Sequence, residues 1–185
     1  MVHRELVMKF VKVMSLVAIF SVLTLPLKAT AVDGYKDLKF GMSKAQIIAK
    51  NICTLEDMGT VQDGIEFYGC EDFIFGGELV ELGIFFIDDK FLRVAIMPSI
   101  DLVAGLSKGL VKKYGSPSSS STQKQFQAVD AEPNREAFLA FDKDTVFLNI
   151  TSDEYNMQMA LLIYTSPEYE KLMYKMQQES IDGDL

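Results

Sequence analysis

The sequence predicts an α+β fold in which helices pack on antiparallel sheet. Two degenerate helix-plus-antiparallel-strand repeats build it, and a C-terminal helix closes it. Three observations carry this. Apolar residues recur with period two over much of the chain, between turns of a few residues, as antiparallel hairpins require. Three stretches, opening near Ser43, Pro98 and Ser166, switch to helical spacing. Finally, Ile84-Phe85-Phe86-Ile87-Asp88-Asp89-Lys90-Phe91 echoes Phe138-Leu139-Ala140-Phe141-Asp142-Lys143-Asp144-Thr145, each ahead of another apolar strand, as in an internal repeat. The expected organisation is a leader at 1–31 and a single domain at 32–178, followed by an acidic tail at 179–185. The domain divides into repeats at about 32–97 and 98–178. One continuous sheet and two side-by-side sheets satisfy the pattern equally.

The leader comes first. Arg4, Lys9 and Lys12 form a basic start, and Val13 to Leu27 is an uncharged apolar run. At 15 residues it is shorter than the ~20 that a spanning helix needs. Ala29-Thr30-Ala31 then supplies the small-x-small pattern of a cleavage site, so the mature chain is expected to begin at Val32. A retained anchor is the alternative, and Pro26 and the cleavage pattern argue against it. No cysteine follows the apolar run to take a lipid. The expected location is the periplasm or the medium, with no stable membrane anchor. Met8-Lys9-Phe10-Val11-Lys12 reads as a more usual start than Met1.

Ser43 opens the first helix as an N-cap, with Gln46 three residues on as its capping-box partner and Met42 and Ile47 as a hydrophobic staple. That helix is expected to reach Ile52, with Ile47, Ile48 and Ile52 facing the core. Strands follow: Ile65 and Phe67 alternate with Glu66 and Tyr68, and Phe73–Phe75 runs into a Gly76-Gly77 turn. Leu79–Ile87 and Phe91–Met97 flank Asp88-Asp89-Lys90. Val103, Leu106, Leu110, Val111 and Tyr114 mark a second helix that Gly115 ends. Ser116–Thr122 reads as a flexible joint, with Ser121 capping nothing. Strands are expected at about 124–129, 135–142, 145–151 and 157–164. Ser166-Pro167 opens the last helix, whose stripe is Tyr169, Leu172, Met173 and Met176.

Phe40-Gly41-Met42-Ser43-Lys44-Ala45-Gln46-Ile47 resembles the opening phrase of many small exported bacterial proteins. Among them are the SmpA/OmlA family, small lipoproteins of the outer-membrane β-barrel assembly machinery, and proteins of the β-lactamase-inhibitor-protein-like fold. Lys113-Tyr114-Gly115-Ser116-Pro117 is similar to a phrase found at the second helix end of secreted relatives. The resemblance implies helices on antiparallel sheet and a binding role. The chain departs from the lipoproteins in having no cysteine to lipidate.

Charge and chemistry narrow the function. The leader takes four of the 18 basic residues and one of the 26 acidic ones, leaving 14 against 25, a formal charge of −11. Phosphate backbones repel such a chain, so nucleic acid is not an expected partner. Cys53 and Cys70 are the two cysteines, an even count that in an exported chain predicts a disulfide. Two buried free thiols are the alternative. The one histidine, His3, lies in the leader, so the mature chain has no histidine for Ser-His-Asp or Cys-His catalysis or for a His-bearing zinc site. Phosphate-loop, dinucleotide and nucleophile-elbow motifs are absent. Ser121-Thr122-Gln123-Lys124 matches S-x-x-K without its companion motifs. Asp142-x-Asp144 and Asp182-Gly183-Asp184 lack the remaining positions of a calcium loop. No catalytic residue, cofactor or metal is therefore assigned.

Asp63, Glu66, Glu71, Asp72, Glu78 and Glu81 crowd one segment, and Phe67, Tyr68, Phe73, Phe75, Phe85 and Phe86 supply more aromatics than one sheet face can bury. The expected function is an exported binding protein with an envelope-protein partner, contacted through the first repeat by Tyr68, Glu66, Glu71 and Asp72. The rivals are a small carboxylate-dependent hydrolase and an apolar-ligand carrier. A deeply buried carboxylate beside a second one would mark the hydrolase, and a closed apolar cavity the carrier. An exposed aromatic patch with an acidic rim would mark the binding protein.

Overall fold

The computed structural model describes residues 32–62 and 64–184. The expected leader, and Asp63 of the acidic run, lie outside the described residues. Strands β1 (Gly34–Tyr35) and β2 (Leu38–Lys39) form a small hairpin, followed by helix α1 (Lys44–Ile48). Four strands come next: β3 (Glu56–Gln62), β4 (Ile65–Phe75), β5 (Glu78–Ile87) and β6 (Lys90–Met97). A 3₁₀ turn (Ile100–Leu102) leads into α2 (Val103–Tyr114), then β7 (Ser119–Ser120) and α3 (Gln123–Ala131). β8 (Arg135–Phe141), β9 (Val146–Ser152), β10 (Gln158–Thr165) and α4 (Pro167–Asp184) complete the chain.

Eight of these strands make one antiparallel sheet in the order β3-β4-β5-β6-β10-β9-β8-β7. The halves run toward each other and meet at β6–β10, where Leu162 pairs with Ile96 and Ile163 with Ala95. Short hairpins dictate this neighbour order. Gly76-Gly77 and Asp88-Asp89 both have positive φ at each central residue, as a type I′ turn requires. Both sheet edges are blunt: β3 is broken by register shifts around Gly59, and β7 has two residues.

The two faces of the sheet differ. Phe73, Leu82, Ile84, Phe86, Phe91, Val94, Ile96, Phe141, Leu148 and Leu162 form the main core on one face, beneath Tyr35, Leu38, Ile47 and Leu110 of the hairpin, α1 and α2. Helix α3 covers the far end of that face. Ser152 and Gln158 lie on the same face as Leu148 and Leu162, and their side chains donate to the carbonyls of Glu132, at the end of α3, and Val129, within it. On the opposite face α4 covers one end, where Tyr169 packs with Ile65, Ile87 and Leu92. Among the described residues no helix covers the rest of that face.

Six expectations need correction. Helix α1 stops at Ile48, which is 48% exposed, and Asn51 turns the chain with a φ of 49°. The capping box is present: the Gln46 amide donates to Ser43 Oγ, and the Ser43 amide donates to Gln46 Oε1. Strand β3 was not expected, because an exposed edge strand shows no apolar alternation. Residues 124–129 are helical. Thr122 and Gln125 repeat the Ser43/Gln46 capping box inside the serine run and start α3 there. The serine run is no loose joint either. β7 pairs with β8, and the Ser118 and Ser119 hydroxyls donate to Asp144 at 2.6 and 2.9 Å. The sequence echo is also displaced. It aligns the β5–β6 hairpin with β8–β9, whereas the sheet order sets β5–β6 opposite β9–β10. The segment set apart as an acidic tail continues α4 as far as Asp184.

Candidate functional site

The open face carries a trough of about 650 Å³ that crosses β4, β5, β6 and β10. Its floor follows from register. Gly69 pairs with Gly83, and Gly83 with Ala95, so three neighbouring strands present almost no side chain in one row. One wall is Phe67 against Phe85, stacked with ring centroids 5.0 Å apart and 27° between planes. The other wall is the next row on the same face, with Glu81 paired to Met97 and Leu161 alongside. The floor depends on glycine: a Cβ at Gly83 would lie 2.5 Å from the Phe67 ring. Strand-interior glycine marks close approach, and here it makes room for a ring.

The rim is acidic. Glu56, Glu71, Asp72 and Glu81 line the trough and are exposed, and no lysine or arginine is among the described lining residues. Glu71 and Glu81, with Glu78, also line a shallower hollow of about 420 Å³ beside it. Arg93, one strand position beyond Phe85, is spoken for: it pairs with Glu170 and stacks 3.7 Å over the Tyr169 ring. In the same row as Leu161, its partner Asn149 on β9 has a buried Oδ1 with no donor among the described residues.

The expected contact residues separate. Glu71 and Asp72 stand on the trough rim, and Asp72 also holds the chain ahead of β3. Its carboxylate accepts from the Thr54 hydroxyl at 2.7 Å and the Thr54 amide at 2.9 Å, which pulls its pKa below the ordinary range. Glu66 and Tyr68 point to the other face. Glu66 pairs with Lys44 of α1, and its hydrogen bond raises the Lys44 pKa. Tyr68 is half-buried, not exposed. It sits edge-on to Phe86 at 5.6 Å, and its hydroxyl donates to Asp57 at 2.9 Å. Burial first, and that bond second, push its pKa up. Its neighbour Phe67 is the aromatic that faces the trough. The alternation was legible, but which face lacked a cover was not. Gly69 and Gly83 were the overlooked signal, as small residues inside otherwise bulky strands.

Cys53 and Cys70 are disulfide-bonded with Cα atoms 6.3 Å apart, and Cys70 lies at the trough edge. Asp72 is close to both sulfurs, but sulfurs bonded to each other offer a metal no thiolate. In the Asp142-x-Asp144 pair, Asp144 is engaged by serine hydroxyls and Asp142 by the Val32 amide and the Thr145 hydroxyl. Among the described residues no helix is long and apolar enough to cross a membrane.

No solved structure matches this chain. It is 30% identical over 178 residues to an uncharacterized protein of Haemophilus influenzae, covering 94% of this chain and 99% of that one. Residues 35–184, from the first strand to the end of α4, match the model of a protein family described as uncharacterised protein. This chain belongs to that family.

Proposed function

We propose that this is an exported, non-catalytic binding protein whose contact surface is the trough. Its partner is an envelope protein presenting a cationic segment with interspersed apolar side chains. The observation that carries this is the combination of an open apolar trough with four exposed carboxylates and no cation among the described lining residues. Desolvating Phe67, Phe85, Met97 and Leu161 supplies affinity, at roughly 25 cal/mol per Å² of apolar area removed from water. The carboxylates steer a basic partner and reject an acidic one. The blunt edges disfavour strand addition, so the partner lies across the strands. The leader-like residues 1–31, and the resemblance of Phe40–Ile47 to small exported binding proteins, support the same reading. A hydrolase needs one carboxyl held protonated by burial, and every carboxylate lining the trough is exposed.

The test is a titration of the oxidised mature chain with a synthetic peptide alternating lysine with phenylalanine and leucine. The same peptide with glutamate for lysine is the control. The cationic peptide should bind, more weakly as salt rises, and Glu81→Lys should weaken it about tenfold, or ~1.4 kcal/mol. Equal binding of the two peptides, or none of either, would refute the proposal.

A further inference from the structure

We propose that removal of the leader also creates an internal binding site: the new α-ammonium of Val32 docks on the Asp142 carboxylate and clamps the N-terminal segment to the second half of the sheet. This rests on the export reading, with the Ala31–Val32 bond as the one cut. The Val32 nitrogen already donates to Asp142 Oδ2 at 2.6 Å, across 110 positions of sequence. The Val32 side chain packs against the main core, so the nitrogen is held in place. Asp142 is half-buried in the β8–β9 turn. Its other described donor is the Thr145 hydroxyl, at 3.1 Å. Among the described residues no lysine or arginine forms an ion pair with it. A half-buried carboxylate is thus met by neutral donors alone, whereas a buried charge is best offset by an opposite one.

Cleavage supplies that opposite charge. A leader peptidase adds water across the bond: hydroxyl goes to the Ala31 carbonyl carbon, the C–N bond breaks, and the Val32 nitrogen leaves as an amine that takes up a proton. The atom already within hydrogen-bonding reach of Asp142 becomes an ammonium, and a charge-assisted bond is roughly twice as strong as a neutral one. The clamp joins the two repeats. Beyond Val32, the Tyr35 ring lies 5.0 Å from Tyr164 of β10, while Gly41 and Met42 exchange backbone hydrogen bonds with Phe91 of β6.

The test begins with the full chain exported on its own leader. The product's N-terminus is sequenced, and acylation of its α-amine is followed at neutral pH with lysine ε-amines as internal reference. The product should begin at Val32. Asp142→Asn should raise α-amine acylation about tenfold with lysine rates unchanged, because the carboxylate no longer holds the proton on that nitrogen. A product retaining Ala31 moves the charge by one residue and should also react fast, which keeps the test decisive if Asp142→Asn does not fold. A Val32 product that reacts no more slowly than either comparison overturns the clamp while leaving export intact. A product that begins elsewhere overturns the cut site, and the clamp with it.

Discussion

At Gly83 a single hydrogen in place of a methyl keeps the trough open. An added Cβ would meet the Phe67 ring at 2.5 Å, too close to tolerate, and the half-buried ring must swing into the trough. Gly83→Ala should therefore lower affinity for the cationic peptide about tenfold. It should cost the fold about 1–3 kcal/mol as overpacking, read from a urea melt. Gly69→Ala is the control, since its Cβ would find Met58 at 3.4 Å, an ordinary contact. The helix caps make a second residue-level prediction. Ser43→Ala and Thr122→Ala should each cost ~1 kcal/mol, because each side chain accepts the amide of the third helical residue. A loop position that caps nothing implies that Ser121→Ala is silent, but the structure predicts otherwise. Ser121 Oγ accepts the Phe138 amide at 3.1 Å, and losing that bond should cost about 1 kcal/mol. A silent Thr122→Ala in urea melts would mean that α3 does not start there.

Among the elements, the disulfide ties the segment between α1 and β3 to the middle of β4, closing a loop of 17 positions. Reduction should lower stability by about 3 kcal/mol in the chain-entropy model. It should also weaken peptide binding, since Cys70 and the Thr54–Asp72 contacts shape that end of the trough. Urea midpoints and titrations with and without reductant measure both, and unchanged binding after reduction would detach the disulfide from the site. Elements with strong local signals were legible in the sequence: the Ser43 cap, the β4–β5 and β5–β6 turns, the α2 stripe ending at Gly115, and α4. Those that failed lacked such signals or hid them. β3 is an edge strand with few apolar residues to alternate. α3 has a capping box that sits inside a serine run and reads as loop. A helix reaching Ile52 would put Ile48 in the core, but the chain turns at Asn51 instead and leaves Ile48 exposed.

For the whole molecule, two runs of antiparallel strands meet at β6–β10 to make one sheet, and the helices are shared unequally. Helices α1, α2 and α3 and the N-terminal hairpin all lie on one face, while α4 covers a corner of the other. That inequality creates the site, and it depends on contacts between residues far apart in sequence. Local periodicity places Phe67 and Tyr68 on opposite faces without telling which face is left bare. The acidic cluster and the excess of aromatics are legible in the sequence, but that Phe67 and not Tyr68 lies on the bare face is not. On the proposed function, this bare face is where the partner sits. Photo-crosslinking in intact cells tests it most directly. A photoreactive residue at Met97, on the trough wall, is compared with one at Val111, exposed on α2 over the covered face. A partner seated in the trough gives a crosslink from Met97, mapped by mass spectrometry to a lysine- or arginine-rich segment of an envelope protein and lost in Glu71→Lys/Glu81→Lys. A crosslink to the same partner from Val111 and none from Met97 would contradict it.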